Sequence, residues 1–263
     1  MLGTDWGYAD AQPSRSASRY DLRVRARMYD LKVLDINALD NIKLSGNIFE
    51  SNSKSLISIY QDSLDVRERK VSDLDAMIEK WSIENTGKLP SEIEELGDDW
   101  FQDYNHYMHH FDYLLLHSLF LSSFSLFENH LKRIAEIMTS ASRIKPKDIK
   151  GNGEIDRLRK YLCLVIGLKS ASSDKKEWSE LLEYKAVRNA LVHSSGILNK
   201  DKKKDLNRVR GFKKIIEHNV WYRGDSVYFR IKTIEFLKGF SLLSIEYSKD
   251  IVNEIINKHK DQT

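Results

Sequence analysis

The chain has 263 residues, with 42 Lys plus Arg against 39 Asp plus Glu, a formal charge of +3. Hydrophobic residues at 41% and aromatics at 10% are enough to bury a core and exclude a wholly disordered chain. Three prolines and twelve glycines argue against a many-turned β-sandwich; the single cysteine, Cys163, excludes a disulfide framework and a cysteine-based zinc site; the small net charge excludes a uniformly basic nucleic-acid coat.

Met1 to Ser18 is polar and lacks the apolar segment of a signal peptide, so residues 1–22 read as a flexible tail. Residues 23–99 read as an N-terminal helical extension. From Ile48 to Asn85, Leu56, Ile59, Tyr60, Leu64, Val71, Leu74 and Ile78 recur at three- to four-residue steps. An acidic stretch, Ser91 to Asp103, precedes a long helix predicted from Trp100 to Met138. Its apolar run, Tyr113 to Phe127, is shorter than the ~18 residues of a spanning helix, which predicts a buried core helix and a cytoplasmic protein with no membrane partner. Further helices are expected at Glu154–Leu168, at Glu177–His193 (stopped by Ser194-Ser195-Gly196) and at Thr233–Lys258. Val220 to Arg230 flanks Gly224-Asp225 with aromatic and β-branched residues, a hairpin signal. The fold class is all-α: a helical bundle over residues 100–263 with a small β-hairpin near 220–230.

Glu183 to Gly196, EYKAVRNALVHSSG, places Arg188, Asn189 and His193 at the end of an amphipathic helix. Asn189 and His193 are i and i+4 and share a face, so an Asn contact can fix the imidazole tautomer. Arg188 and His193 are five apart, about 140° around an ideal helix, and meet on one small group only if the helix end loosens or a second copy of the helix joins it. On the residues alone, a surface arginine beside a capping histidine explains the pair as well.

Two other segments carry chemistry-bearing residues. Asn199 to Lys214 holds eight basic and two acidic residues, a net charge of +6, and begins just after His193. Lys202, Lys203, Lys204, Arg208 and Arg210 there are candidate RNA-phosphate contacts, and Tyr222, Tyr228 and Phe229 are candidate stacking residues. His106 and His110 have the i, i+4 spacing of two zinc ligands, but Tyr107 stands where HExxH needs its glutamate, so they read as polar helix-face residues and no metal is expected. Glu128 and Lys132 are spaced as an ordinary helix-surface pair. Cys163 lies in an apolar helix pattern.

RNALVHSSG resembles the signature of the HEPN superfamily: Arg, a polar residue, then His after four to six residues. FSLFENHLKRIAE (Phe124 to Glu136) is similar to that superfamily's aromatic–Ser–Leu–x–Glu–x–x–Leu helix, and Tyr161-Leu162, the motif helix, the hairpin and the final helix follow in its order. The resemblance covers roughly Trp100 to Lys258. It implies a helical bundle that forms a homodimer, with a composite site built from both protomers. It also implies a metal- and cofactor-independent endoribonuclease in which His193 serves as acid or base, Arg188 holds the phosphate, Asn189 orients His193 and Glu128 supports. Such an enzyme would be a toxin or phage-defence effector, with RNA as substrate and an antitoxin or defence-system protein as partner. The alternative is a non-catalytic HEPN-like module that binds RNA, a nucleotide or another protein.

Overall fold

The computed structural model describes residues 34–86, 102–194, 197–199, 220–223, 226–231 and 233–261, and these are mostly helical. The first helix, α1 (Ile36–Glu84), has 49 residues, a length of about 74 Å at 1.5 Å per residue. It starts at its cap: the Asp35 carboxylate accepts the Ala38 N–H at 2.6 Å. That start lies ahead of the expected Ile48. Asn41, Ser45, Gly46 and Asn47 dilute the apolar repeat there, although Leu39, Ile42 and Phe49 still bury at helical spacing.

A π-turn, His106–His110, leads into α2 (Phe111–Met138). Next, α3 (Glu154–Lys160) runs into a second π-turn, Tyr161–Val165, so the expected single helix is wider-wound in its second half. The motif helix is α4 (Lys176–Ser194), and α5 (Ile234–Lys260) is the last. Between α4 and α5 lie the strands β1 (Ile197–Asn199), β2 (Val220–Arg223) and β3 (Ser226–Phe229), antiparallel in the order β1-β3-β2, with Ile197 opposite Tyr228 and Val220 opposite Phe229.

The core follows the apolar run of α2. Leu116, Phe120, Phe127, Leu131 and Ile134 are fully buried, each stabilising the fold by roughly 1.5–3 kcal/mol. No helix among the described residues is long and apolar enough to cross a membrane. Leu39, Ile42, Phe49 and Tyr60 of α1 belong to the same buried cluster as α2, α4 and α5. Helix α1 runs antiparallel to α2, since Ser45 meets His130 near one end of the pair and Arg67 reaches the Tyr107 carbonyl near the other.

Two buried imidazoles tie elements together. His130 on α2 bonds Ser45 of α1 through Nδ1 at 2.9 Å and Ser248 of α5 through Nε2 at 2.5 Å. Its ring stacks on Phe49 with centroids 4.7 Å apart and planes 3° from parallel. One side chain thus joins three helices with both ring nitrogens satisfied, as a buried polar group requires. His117 accepts the Ile231 N–H through Nε2 at 2.9 Å, and Arg230 lies over the Tyr113 ring at 3.8 Å. Together they pin the chain leaving β3 onto α2.

Burial pushes both imidazoles down to about 4, helped at His117 by the Arg230 charge and at His130 by that of Arg133. In the unfolded chain they titrate near 6.5, so between these values the unfolded state binds more protons. Their contribution to stability is therefore complete above pH 6.5 and is lost as pH falls toward 4, at an upper bound of about 3–4 kcal/mol each. The urea-unfolding midpoint is expected to drop steadily from pH 7 to pH 4.5; a flat profile over that range would contradict the buried neutral histidines.

Candidate functional site

The motif helix is held along its length before its last turn reaches solvent. At its start, buried Trp178 lies beneath the Arg159 guanidinium, 5.0 Å from the ring centroid. Arg159 is itself buried, bonding Asp156 Oδ1 at 3.1 Å and the Ala171 carbonyl at 3.2 Å. Burial pushes the Asp156 carboxyl up, but the Asn152 N–H, Lys160 and Arg159 outweigh it and hold the group below its ordinary value. Midway, Tyr184 enters an aromatic block with Phe120, Phe236 and Phe240 at centroid distances of 6.2, 5.1 and 5.3 Å. Gly239 permits the approach of α5: a Cβ there would sit 2.8 Å from the Tyr184 hydroxyl oxygen.

Toward the end of α4, Arg188 is half-buried, its guanidinium 5.8 Å from the Phe124 ring centroid, and its Nη1 donates to Asn189 Oδ1 at 3.2 Å. This fork is preorganised by an aromatic face on α2 and by its sequence neighbour. His193 is exposed. The amide partner of Asn189 is therefore Arg188, whereas i, i+4 spacing had pointed to His193; among the described residues no hydrogen bond joins His193 to Asn189 or Arg188. Adjacent side chains on a helix can pair when one is long, and the Phe124 ring brings the guanidinium within reach. Leu182 and Val192, at 41% and 47% exposed, flank the face that carries Asn189 and His193.

Glu128 is half-buried on α2 and, among the described residues, makes no ion pair with Lys132. Lys202, Lys203, Lys204, Arg208 and Arg210 lie outside the described residues. His110 Nδ1 bonds the Tyr113 hydroxyl at 3.2 Å, and His106 packs edge-on against Tyr107. Among the described residues no three His, Cys, Asp or Glu side chains cluster as a metal site would require. Cys163 is half-buried in the second π-turn, and burial pushes its thiol up, away from a reactive thiolate.

A second constellation went unread in the sequence. A cleft of about 260 Å³ opens between α1 and α5, lined by Lys43, Asn47 and Glu50 on one side and Ser248, Lys249 and Asn253 on the other. Glu50 bonds Lys54 at 2.8 Å and Lys249 at 2.9 Å, and these two ammonium groups hold its carboxyl below the ordinary range despite some burial. Ser248 connects the cleft to His130. The available signal was phase: Ser45, His130 and Ser248 fall in step with the core residues Ile42, Phe127 and Ile251 of their helices.

Comparison with family models, with curated proteins and with solved structures finds no match to this chain.

Gly46 also lines the cleft, and a Cβ there would meet only Val252 Cγ2, at an ordinary 3.8 Å. Packing thus does not require glycine at this point of α1. Gly46→Ala is expected to raise stability by about 0.5–1 kcal/mol, the helix-propensity difference, measured as an upward shift of the thermal midpoint. Destabilisation would contradict the open space beside Gly46.

Proposed function

We propose that this chain is a metal-independent endoribonuclease of HEPN type, with Arg188 and His193 at its reactive centre. The observation that carries the reading is the end of α4. A half-buried guanidinium is fixed against Phe124 and Asn189, and an imidazole stands in solvent one helical turn further on. A planar fork fixed in place suits phosphate oxygens, and an accessible imidazole suits proton transfer. The reading carries with it the HEPN-like bundle, the hairpin near 220–230 and the +6 segment that follows His193 as an RNA-phosphate contact.

RNA supplies its own nucleophile. His193 takes the proton of the 2′-hydroxyl, the 2′-oxygen attacks the adjacent phosphorus, and the bond to the 5′-oxygen breaks as that oxygen is protonated. Arg188 stabilises the charge on the non-bridging oxygens. The products carry a 2′,3′-cyclic phosphate and a 5′-hydroxyl. Because Arg188 and His193 diverge around one helix, the reading places two copies of α4 together in a homodimer, each supplying part of one cleft; the exposed Leu182 and Val192 beside the motif fit such a contact. In that setting Asn189 positions Arg188 in its own protomer, and Glu128 supports the neighbouring helix. A role as a toxin or phage-defence effector, checked by an antitoxin or defence-system partner, accords with a small ribonuclease.

One observation favours a second reading, a non-catalytic module that binds RNA, a nucleotide or a protein: Asn189 bonds Arg188, so His193 has no orienting partner within the chain among the described residues.

Purified protein is expected to cleave RNA in excess EDTA. His193→Ala and Arg188→Ala should each lower the rate by about 10²–10⁴-fold with unchanged circular dichroism and oligomeric mass. Undiminished cleavage by both variants would remove the site assignment, and RNA binding by wild type without cleavage would establish the second reading.

A further inference from the structure

The cleft between α1 and α5 is lined by none of the residues that the ribonuclease reading uses. Its lining brings polar residues from two helices: Lys43, Asn47 and Glu50 from α1, and Lys249, Asn253 and Ser248 from α5, the Ser248 hydroxyl being bonded to His130. Ile245, Val252 and Ile256 give it an apolar wall. A concave site that combines an apolar wall with polar groups is a common form of small-molecule pocket, and about 260 Å³ lies just below the ~300–1,000 Å³ such pockets span.

The charge on the rim is incompletely matched. Glu50 is shared between Lys54 and Lys249. Among the described residues Lys43 pairs with Asp40 alone, at 3.4 Å and with both side chains at least half exposed, a contact of little strength in water. The lysines of the cleft therefore retain capacity for an anion. Two lining residues are held from behind: Phe49 is stacked on His130, and Ser248 is bonded to it. Gly46 supplies an independent sign. Glycine is unfavourable inside a helix, and here no neighbour demands it, since a Cβ would make only ordinary contact. What glycine does at this position is leave the cleft open.

We propose that the α1–α5 cleft is a binding site for a small amphipathic anion. Its planar apolar body, the size of a nucleobase or an indole, lies against Val252 and Ile256. Asn47 and Asn253 hydrogen-bond its polar edge, and its single anionic head is held at the rim by Lys43 and Lys249. The head is a phosphate or a carboxylate; both offer acceptor oxygens to ammonium donors. Since α1 and α5 are joined through Ser45, His130 and Ser248, an occupant bridges two helices that already share a buried polar joint and stabilises the folded chain by linkage.

The test titrates the full-length chain by calorimetry with adenosine 5′-monophosphate in one arm and indole-3-acetate in the other. Saturable binding of either is expected, and the arm that binds identifies the head group. Gly46→Leu fills the cleft and should abolish binding while the chain keeps its helical circular dichroism. Lys249→Glu, at a half-exposed side chain, should weaken binding at least tenfold even if Gly46→Leu fails to fold. No binding in either arm at millimolar ligand, or binding unchanged in Lys249→Glu, would overturn the proposal. Neither outcome bears on cleavage at Arg188 and His193, which lie on another helix.

Discussion

The position of everything at the end of α4 depends on one aromatic block. Phe120 and Phe124 on α2, Tyr184 on α4, and Phe236 and Phe240 on α5 meet with ring centroids 5.1–6.3 Å apart, mostly tilted or edge-on. These are the favourable orientations for aromatic quadrupoles, worth about 0.5–1.5 kcal/mol per pair beyond burial. The block sets the height and rotation of α4 on the bundle. Phe124 belongs to it and also offers the ring over which the Arg188 guanidinium sits. Packing and chemistry thus share a side chain: the residue that seats the motif helix also aims its arginine.

Around that block the bundle uses buried and half-buried polar groups as joints. Arg159, paired with Asp156 and lying over Trp178, fixes the start of α4. Glu254 of α5 accepts the Lys169 and Ser170 N–H groups at 2.8 and 2.7 Å, holding the segment between α3 and α4. His130 joins α1 to α2 and α5. Each joint satisfies its polar atoms, so each specifies a particular register rather than a sliding apolar contact. Where small residues bring α1 and α5 together, Gly46 leaves a gap with a charged rim, and a second site becomes possible without disturbing the first.

Much of this was legible in the sequence, for physical reasons. The run from Tyr113 to Phe127 is too short and too interrupted to span a membrane, and it forms the core helix. The motif helix, expected at Glu177–His193, is Lys176–Ser194, and Trp178, Leu181, Tyr184, Val187 and Leu191 bury along it at three- to four-residue steps. What escaped was of two kinds. The start of α1 was hidden because Ser45 on the buried face carries no hydrophobic signal and the neighbouring Asn41, Gly46 and Asn47 interrupt the apolar repeat. Partner choice was hidden as well. Spacing placed Asn189 within reach of His193, but its bond goes to Arg188, whose direction is set by Phe124 on a different helix. The role of His130 was illegible for the same reason, since its two partners lie 85 residues before it and 118 after it in the chain.

On the proposed reading, a guanidinium and an imidazole at the end of α4 would cleave RNA by internal attack of the 2′-oxygen. The chemistry of the product ends tests it most directly. Mass spectrometry of a short synthetic RNA incubated with the protein in EDTA should show one fragment ending in a 2′,3′-cyclic phosphate and the other beginning with a 5′-hydroxyl. An RNA with 2′-deoxyribose at the scissile position should stay intact. Fragments bearing 5′-phosphate and 3′-hydroxyl ends, or cleavage of the deoxy-substituted strand, would contradict the account.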